Sequence, residues 1–397
     1  MSPLLLSHYT AVSCIGRGKE ATLASLREQR TGLRPCTFET VTLDTCTGEV
    51  DGVDEQRLPK ALSHFDCRNN RLAQLGLHED GFAEEVRRSA ARWGARRVGV
   101  FLGTSTSGIL QTELAYRRIS PADGSLPDDF DYVGTHNSFS AADFVRQALQ
   151  LEGPAVVVSS ACSSSAKVFG SARRMIAADL IDAAVVGGVD SLCLTTLYGF
   201  HALQLTSRRP CRPFDLQRDG ISISEAAAFA LLERMPQSAD PGAVLLLGVG
   251  ESSDAYHMSS PHPEGLGARA AMVAALEAAS LEPGDIDYVN LHGTGTATND
   301  SAESRAVRAV FGTSTPGSST KGATGHALGA AGALEAVICS LGLQNDFMPG
   351  GVNTTHLDPA LGIDYLLENR RGPLRRVLSN SFGFGGTNCS LVLGRAG

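Results

Sequence analysis

The chain has 397 residues, 43% hydrophobic and 19% charged, a balance that supports a large core and argues against wholesale disorder. A formal net charge of −8 excludes a general binder of nucleic acid or anionic membrane; an acidic partner would need a local basic patch. Nine scattered cysteines without a CxxC pair argue against a disulfide framework or structural zinc and point to a reducing compartment.

In chain order, the opening MSPLLLSHYTAVSC has no basic segment before its short apolar run, so no signal peptide is expected. Patterning then predicts helices over 20–28 and 81–93, a strand over 97–102, a helix over 141–149, a strand over 155–159 and a helix over 163–178. Strands follow over 183–187, 227–232 and 244–249, a helix over 268–279, a strand over 288–291, helices over 301–310 and 330–343, and a strand over 377–381. Strands alternating with helices imply an α/β architecture, and uninterrupted apolar runs such as AVVV imply a sheet covered on both faces. No stretch reaches the roughly 18 apolar residues that span a bilayer, so a cytoplasmic protein is expected.

AVVVSSACSSSAKVFGSARRMI and SSTKGATGHALGAAGALEAVI share a layout: small polar residues, one reactive side chain, then a helix rich in small residues. Cys162 and His326 hold equivalent places in it. The echo suggests duplicated halves, residues 1–240 and 241–397, with a seam within 235–243.

Cys162 lies where an apolar strand runs into a helix, so the helix terminus favours thiolate, and its own N–H is free for an oxyanion hole. Ser163 to Ser165 can cap that helix. His292, in DYVNLHGTGTATND, follows a strand end and precedes glycines that let another backbone come close. GTGT fits neither the dinucleotide nor the Walker spacing. Lys321, His326 and Glu335 share SSTKGATGHALGAAGALEAV, where a lysine among glycines and alanines calls for a buried partner such as Glu335. In SNSFGFGGTNCSLVLG a strand, a glycine turn and a second strand carry Phe382 and Phe384.

Taken with CRPFDLQRDGISISEAAAFALLER, these segments resemble the β-ketoacyl-[acyl carrier protein] synthases of the thiolase superfamily, from about residue 97 to the C-terminus. The resemblance implies a thiolase-like five-layered αβαβα fold of two duplicated halves, usually a homodimer, with a heterodimer of related subunits as the other form. It implies an acyltransferase that joins acyl chains by decarboxylative Claisen condensation, in fatty acid or polyketide biosynthesis. Cys162 would be the acylated nucleophile. His292 and His326 would form the two-histidine set of elongating synthases, and Lys321 and Glu335 would tune it. Phe384 would gate the site and lend its N–H to the oxyanion hole. Thr106, in GTSTSGI, aligns with a pocket-floor position that is isoleucine in some relatives, and Phe382 would share that acyl pocket. GTSTSGI is also similar to synthases of aryl-polyene clusters. Where relatives often have GEGAG after RDG, this chain has ISISEAAA. The partner would be acyl carrier protein, met by Arg68, Arg71, Arg208 and Arg209. No metal and no cofactor are expected; substrates arrive on phosphopantetheine. The alternatives are a degradative thiolase, a non-catalytic partner of the chain-length-factor kind, and a dinucleotide-binding protein, the last disfavoured by the missing glycine fingerprint. Cys389 is expected to point into the closing strand.

Overall fold

The computed structural model describes residues 2–236 and 240–397. Its eleven-stranded main sheet comprises β1 (Leu4–Ser13), β2 (Gly16–Arg17), β3 (Val98–Gly103), β4 (Ala155–Val158), β5 (Ala183–Asp190), β6 (Ala226–Arg234), β7 (Val244–Ser253), β8 (Tyr288–Asn290), β9 (Gly317–Ser318), β10 (Arg376–Gly383) and β11 (Thr387–Arg395). The order is β9-β8-β10-β11-β7-β1-β6-β5-β3-β4, with β2 a short ribbon on β1. In the first half, β1, β6 and β5 alternate in direction, while β5, β3 and β4 run parallel. In the second, β7, β11 and β10 alternate, while β10, β8 and β9 run parallel. One topology is thus used twice. The antiparallel contact of β1 with β7, Leu4 opposite Leu246, joins the halves.

Eight helices cover the sheet: α1 (Gly18–Arg27), α2 (Arg68–His78), α3 (Phe82–Trp93), α4 (Phe139–Ala148), α5 (Ser164–Ala177), α6 (Leu266–Ala279), α7 (Ala297–Phe311) and α8 (Ala331–Asn345). The strands alternate with period two, and both faces are apolar. Val98, Val100 and Leu102 of β3 and Ala227, Phe229 and Leu231 of β6 pack outward against α2, α3 and α4. Phe101, Ala184, Val186 and Ala228 face inward onto α1, α5 and α8. In the second half Val377 and Leu391 face the same central helices, whereas Leu378 and Val392 face α6 and α7. The result is helix, sheet, helix, sheet, helix. Each fully buried large apolar side chain contributes about 1.5–3 kcal/mol.

The central helices meet closely because their residues are small. A Cβ on Gly332 would lie 2.8 Å from the Ala166 Cβ, and Ala333 N donates to Ser165 Oγ at 2.9 Å.

Several elements depart from the sequence expectations. The helix expected over 301–310 starts at Ala297, because Thr296 Oγ1 caps it by accepting from Asn299 N. The strand β1 and the helices α2, Ile109–Tyr116 and Leu194–Ala202 are additional. α2 opens with Arg68, Asn69 and Asn70, a polar turn that nevertheless is buried. Residues 237–239 of the expected seam lie outside the described residues. Among the described residues, no helix is long and apolar enough to cross a membrane.

Candidate active site

Cys162 follows β4 across a tight turn in which Ala161 adopts φ +51°, and it sits just before α5. A non-glycine residue at positive φ is strained and is held by its surroundings. Ser163 Oγ donates to Ser160 O (2.9 Å), Ser164 Oγ donates to Ala161 O (2.6 Å) and Ser164 Oγ accepts from Ser160 N (2.8 Å). The expected cap is therefore corrected: these serines brace the turn, and Ser165 binds α8. The expectation of a resting thiolate is corrected as well. Burial, offset in part by the Lys321 charge and the Phe384 amide, pushes the Cys162 thiol up to about 12. A proton acceptor is needed, and His326 Nε2 lies 3.0 Å from the sulfur.

His326 is set by its backbone. Its N–H donates to Ser222 O (2.8 Å) and its carbonyl accepts from Ser224 N (3.0 Å). His292 leaves β8, and its N–H and that of Gly293 each donate to the Glu303 carboxylate at 2.7 Å. Gly293 has φ +35°, and a Cβ there would lie 2.5 Å from the Ser319 Cβ. The two imidazole rings stand 5.3 Å apart, edge to face. Burial, reinforced by the Lys321 charge, holds both well below the ordinary imidazole value, so both are neutral.

Lys321 and Glu335 form the buried ion pair that the sequence called for. Lys321 Nζ also donates to His292 O (2.6 Å) and stands 3.4 Å from His292 Nδ1. An ammonium only donates, so Nδ1 is the acceptor and the His292 proton sits on Nε2. His326 Nδ1 has no partner among the described residues, so its tautomer answers only to the contact of Nε2 with Cys162 Sγ, a thiol that can donate or accept. Burial pushes the Glu335 carboxyl up to about 6 against the pull of Lys321, and pushes that of Glu303 up to about 7.

Cys162, His292, His326, Phe382 and Phe384 line one cavity of about 60 Å³, with Phe200, Leu205 and Ile221 on an apolar wall and Thr294, Thr298 and Asn299 on a polar one. Phe384 packs on Phe200 with ring centroids 5.5 Å apart. A Cβ on Gly383 would lie 3.2 Å from Cys162 N and 2.9 Å from Ser160 O. That glycine keeps the space beside the amide clear. The donor atoms of Cys162, His292 and His326 lie within 4.8 Å of one another, close enough to ligate a metal ion. The neighbouring Lys321 ammonium and the raised thiol both disfavour a cation there.

Two expected positions are elsewhere, and a third, Arg71, is partly exposed but already paired. Thr106 is buried away from the cavity, with N and Oγ1 each donating to Asp190 Oδ1 at 2.9 Å. Arg68 is not a surface cation: it is 6% exposed and bonds Glu225 twice (2.8 and 2.7 Å) and Asp54 once. Arg71 is chelated by Asp66 at 2.6 and 2.7 Å. Arg208 and Arg209 are exposed. Cys389 is fully buried in β11. Glu303 and Asp190 escaped the sequence reading. The one available signal for Asp190 was a lone acid ending the apolar strand AAVVGGVD.

Residues 10–238 match the family model for the beta-ketoacyl synthase N-terminal domain, and residues 243–355 match that for its C-terminal domain. The chain is 39% identical over 367 residues to 3-oxoacyl-[acyl-carrier-protein] synthase 2 of Rhizobium meliloti (88% of this chain, 85% of that one). It is 35% identical over 357 residues to nodulation protein E of the same species (86% and 87%). A chain in the structure of the ketosynthase ApeO with its chain length factor ApeC, from Xenorhabdus doucetiae, superposes with TM-score 0.90 at 38% identity, covering 100% of this chain and 98% of that one. With a thiolase-like fold, a cysteine flanked by two neutral histidines and both family models matched in order, the chain belongs to the beta-ketoacyl synthase family of condensing enzymes.

Proposed function

We propose that this chain is an elongating β-ketoacyl-[acyl carrier protein] synthase of fatty acid or polyketide assembly. The observation that carries the reading is the 3.0 Å contact of Cys162 Sγ with His326 Nε2, in a cavity shared with the oriented imidazole of His292. In the first half-reaction His326 takes the Cys162 proton, and the sulfur attacks the acyl thioester of the carrier. The new S–C bond replaces the pantetheine S–C bond, and the proton leaves with the pantetheine thiol. In the second, the malonyl carboxylate departs as carbon dioxide and its electron pair passes to the α-carbon. The Nε2–H groups of His292 and His326 bond the thioester oxygen on which the charge develops. The carbanion attacks the acyl-Cys162 carbonyl, whose oxyanion is received by the amides of Cys162 and Phe384. Expulsion of the Cys162 thiolate releases the 3-oxoacyl product, and the sulfur then takes up one proton from solvent by way of His326, which restores the resting thiol.

The unfixed tautomer of His326 suits two roles, acceptor first and donor second, while His292 stays a donor throughout. The reading requires no metal and no redox cofactor, and places the enzyme in the cytoplasm. Acyl carrier protein is the proposed partner, with the exposed Arg208 and Arg209 meeting its acidic surface. β4 ends the sheet as an apolar, half-exposed strand with one edge unpaired among the described residues, which supports pairing with a second chain, identical or related. The neighbour solved with a chain length factor supports the related kind.

The test is incubation with acyl and malonyl carrier proteins, following carbon dioxide and 3-oxoacyl product together. Release of coenzyme A from a coenzyme A ester without carbon dioxide would replace this reading with that of a degradative thiolase.

A further inference from the structure

Asp190 ends β5 and is completely buried. Its Oδ1 accepts hydrogen bonds from Thr104 Oγ1 (2.7 Å), Ser105 N (2.8 Å), Thr106 N (2.9 Å) and Thr106 Oγ1 (2.9 Å). Its Oδ2 accepts from Ser105 Oγ (2.5 Å) and Gly329 N (2.6 Å). All six donors are neutral, and they come from two segments far apart in the chain. A carboxylate, acceptor-only with about four lone-pair sites over two oxygens, suits such a set, the four donors on Oδ1 sharing its lone pairs.

The two segments are the ones that flank the chemistry. Gly329 lies three residues beyond His326, past Leu328 at φ +48°. The bonds of His326 to Ser222 and Ser224 fix the front of this turn, and the bond of Gly329 to Asp190 fixes its back. No side chain fits at 329, where a Cβ would lie 2.8 Å from Asp190 Oδ2 and 2.7 Å from Ser105 Oγ. The other segment, Thr104 to Thr106, follows Gly103, whose Cβ would lie 2.3 Å from Ser165 N, so it abuts the start of the helix behind Cys162. Leu110, just beyond it, shares an apolar cluster with Leu192, Ile221 and Leu328, and Ile221 is also part of the cavity wall. Asp190 therefore ties the turn bearing His326 to the nucleophile helix and to the inner wall of the cavity.

We propose that Asp190 is a positioning residue for condensation, holding the His326 turn in register with Cys162 through Gly329 while its other oxygen anchors the Thr104–Thr106 loop. The inference rests on the function proposed above. Misplacing a catalytic group by about 1 Å costs on the order of 10²-fold in rate, which is the scale at which such an anchor acts.

Asp190→Asn is the discriminating change. An amide NH2 must replace one oxygen, and it is best tolerated on the Oδ2 side, where Ser105 Oγ can turn and accept. Gly329 N then faces another donor, so the bond lost is the one that holds the His326 turn. The expected result is a fall of about 10- to 10²-fold in malonyl carrier protein decarboxylation and in condensation kcat, with KM for the acyl donor unchanged. Thr22→Val is the control for a merely structural loss, since it removes a buried bond to Gly18 O in α1 (2.8 Å). At equal loss of melting temperature, the control should keep the wild-type decarboxylation rate. Asp190→Asn enzyme that decarboxylates like wild type, or no more slowly than the control at matched stability, overturns the inference. If Asp190→Asn does not fold, Ser105→Ala decides. It removes one donor to Oδ2 and the second acceptor of Gly329 N (3.0 Å), and should show the same signature at about 3- to 10-fold, whereas a wild-type rate overturns the inference. A wild-type chain that neither acylates Cys162 nor decarboxylates any carrier substrate overturns the proposed function itself, and this inference with it.

Discussion

The two halves of the sheet use one strand order for opposite chemistry. In the first, three residues link β4 to Cys162, and the sharp turn at Ala161 delivers an atom that forms and breaks bonds. In the second, the link from β9 to His326 is longer and contains the helical turn Lys321–Thr324. That extra turn makes room for a buried ammonium, which pairs with Glu335 and sets the tautomer of His292. The scaffold fixes where the links emerge; their length and residues decide whether the result is a nucleophile or a proton-handling pair.

The comparison breaks most sharply at the nucleophile. Cys162→Ala should lower 3-oxoacyl product formation by about 10⁴-fold or more, and turnover near wild type would rule out covalent catalysis. The histidines come next, because only His326 touches the sulfur. His326→Ala and His292→Ala should each slow carbon dioxide release from malonyl carrier protein by about 10²- to 10³-fold. His326→Ala should also slow acylation of Cys162 while leaving some, whereas His292→Ala should leave acylation within a few-fold. Equal acylation defects would erase the distinction drawn from their partners.

Lys321 and Glu335 separate stability from catalysis. Lys321→Met or Glu335→Leu alone strands a buried partner and should cost about 3–5 kcal/mol in denaturant unfolding. The double change should recover most of that loss but not the activity, since Nδ1 of His292 loses its donor. The smallest effect is on pH. Both imidazoles titrate well below their ordinary value in the folded chain, so the unfolded chain binds their protons more readily. Their contribution to stability is present above about pH 6.5 and is lost as pH falls below it. Nitrogen NMR of histidine-labelled protein should show two histidines still neutral at about pH 5.5, where a free imidazole is mostly charged. Glu303, raised to about 7, acts in the opposite sense, its contribution declining as pH rises from about 4.5 towards 7.

Much of this was legible in the sequence. Apolar runs marked the strands buried on both faces, and small residues in 330–343 marked a helix that another helix could approach closely. Cys162, His292, His326 and the Lys321–Glu335 pair stood out as reactive or charged groups in segments otherwise small and apolar. What stayed hidden depends on distant partners. Arg68 reads as a surface charge until Glu225, 157 residues away, is seen to hold it. Thr106 reads as a pocket residue until Asp190, 84 residues away, takes its hydroxyl. The protonation of Cys162 is not legible either, because a helix terminus is visible in sequence and the depth of burial is not.

Intact-protein mass spectrometry after incubation with a panel of acyl carrier proteins, followed by peptide mapping, shows which side chain carries the acyl group. One acyl adduct per chain is expected, on Cys162, and it should disappear when malonyl carrier protein is added. An adduct on any other cysteine, or none with any carrier while condensation proceeds, would contradict covalent catalysis by Cys162.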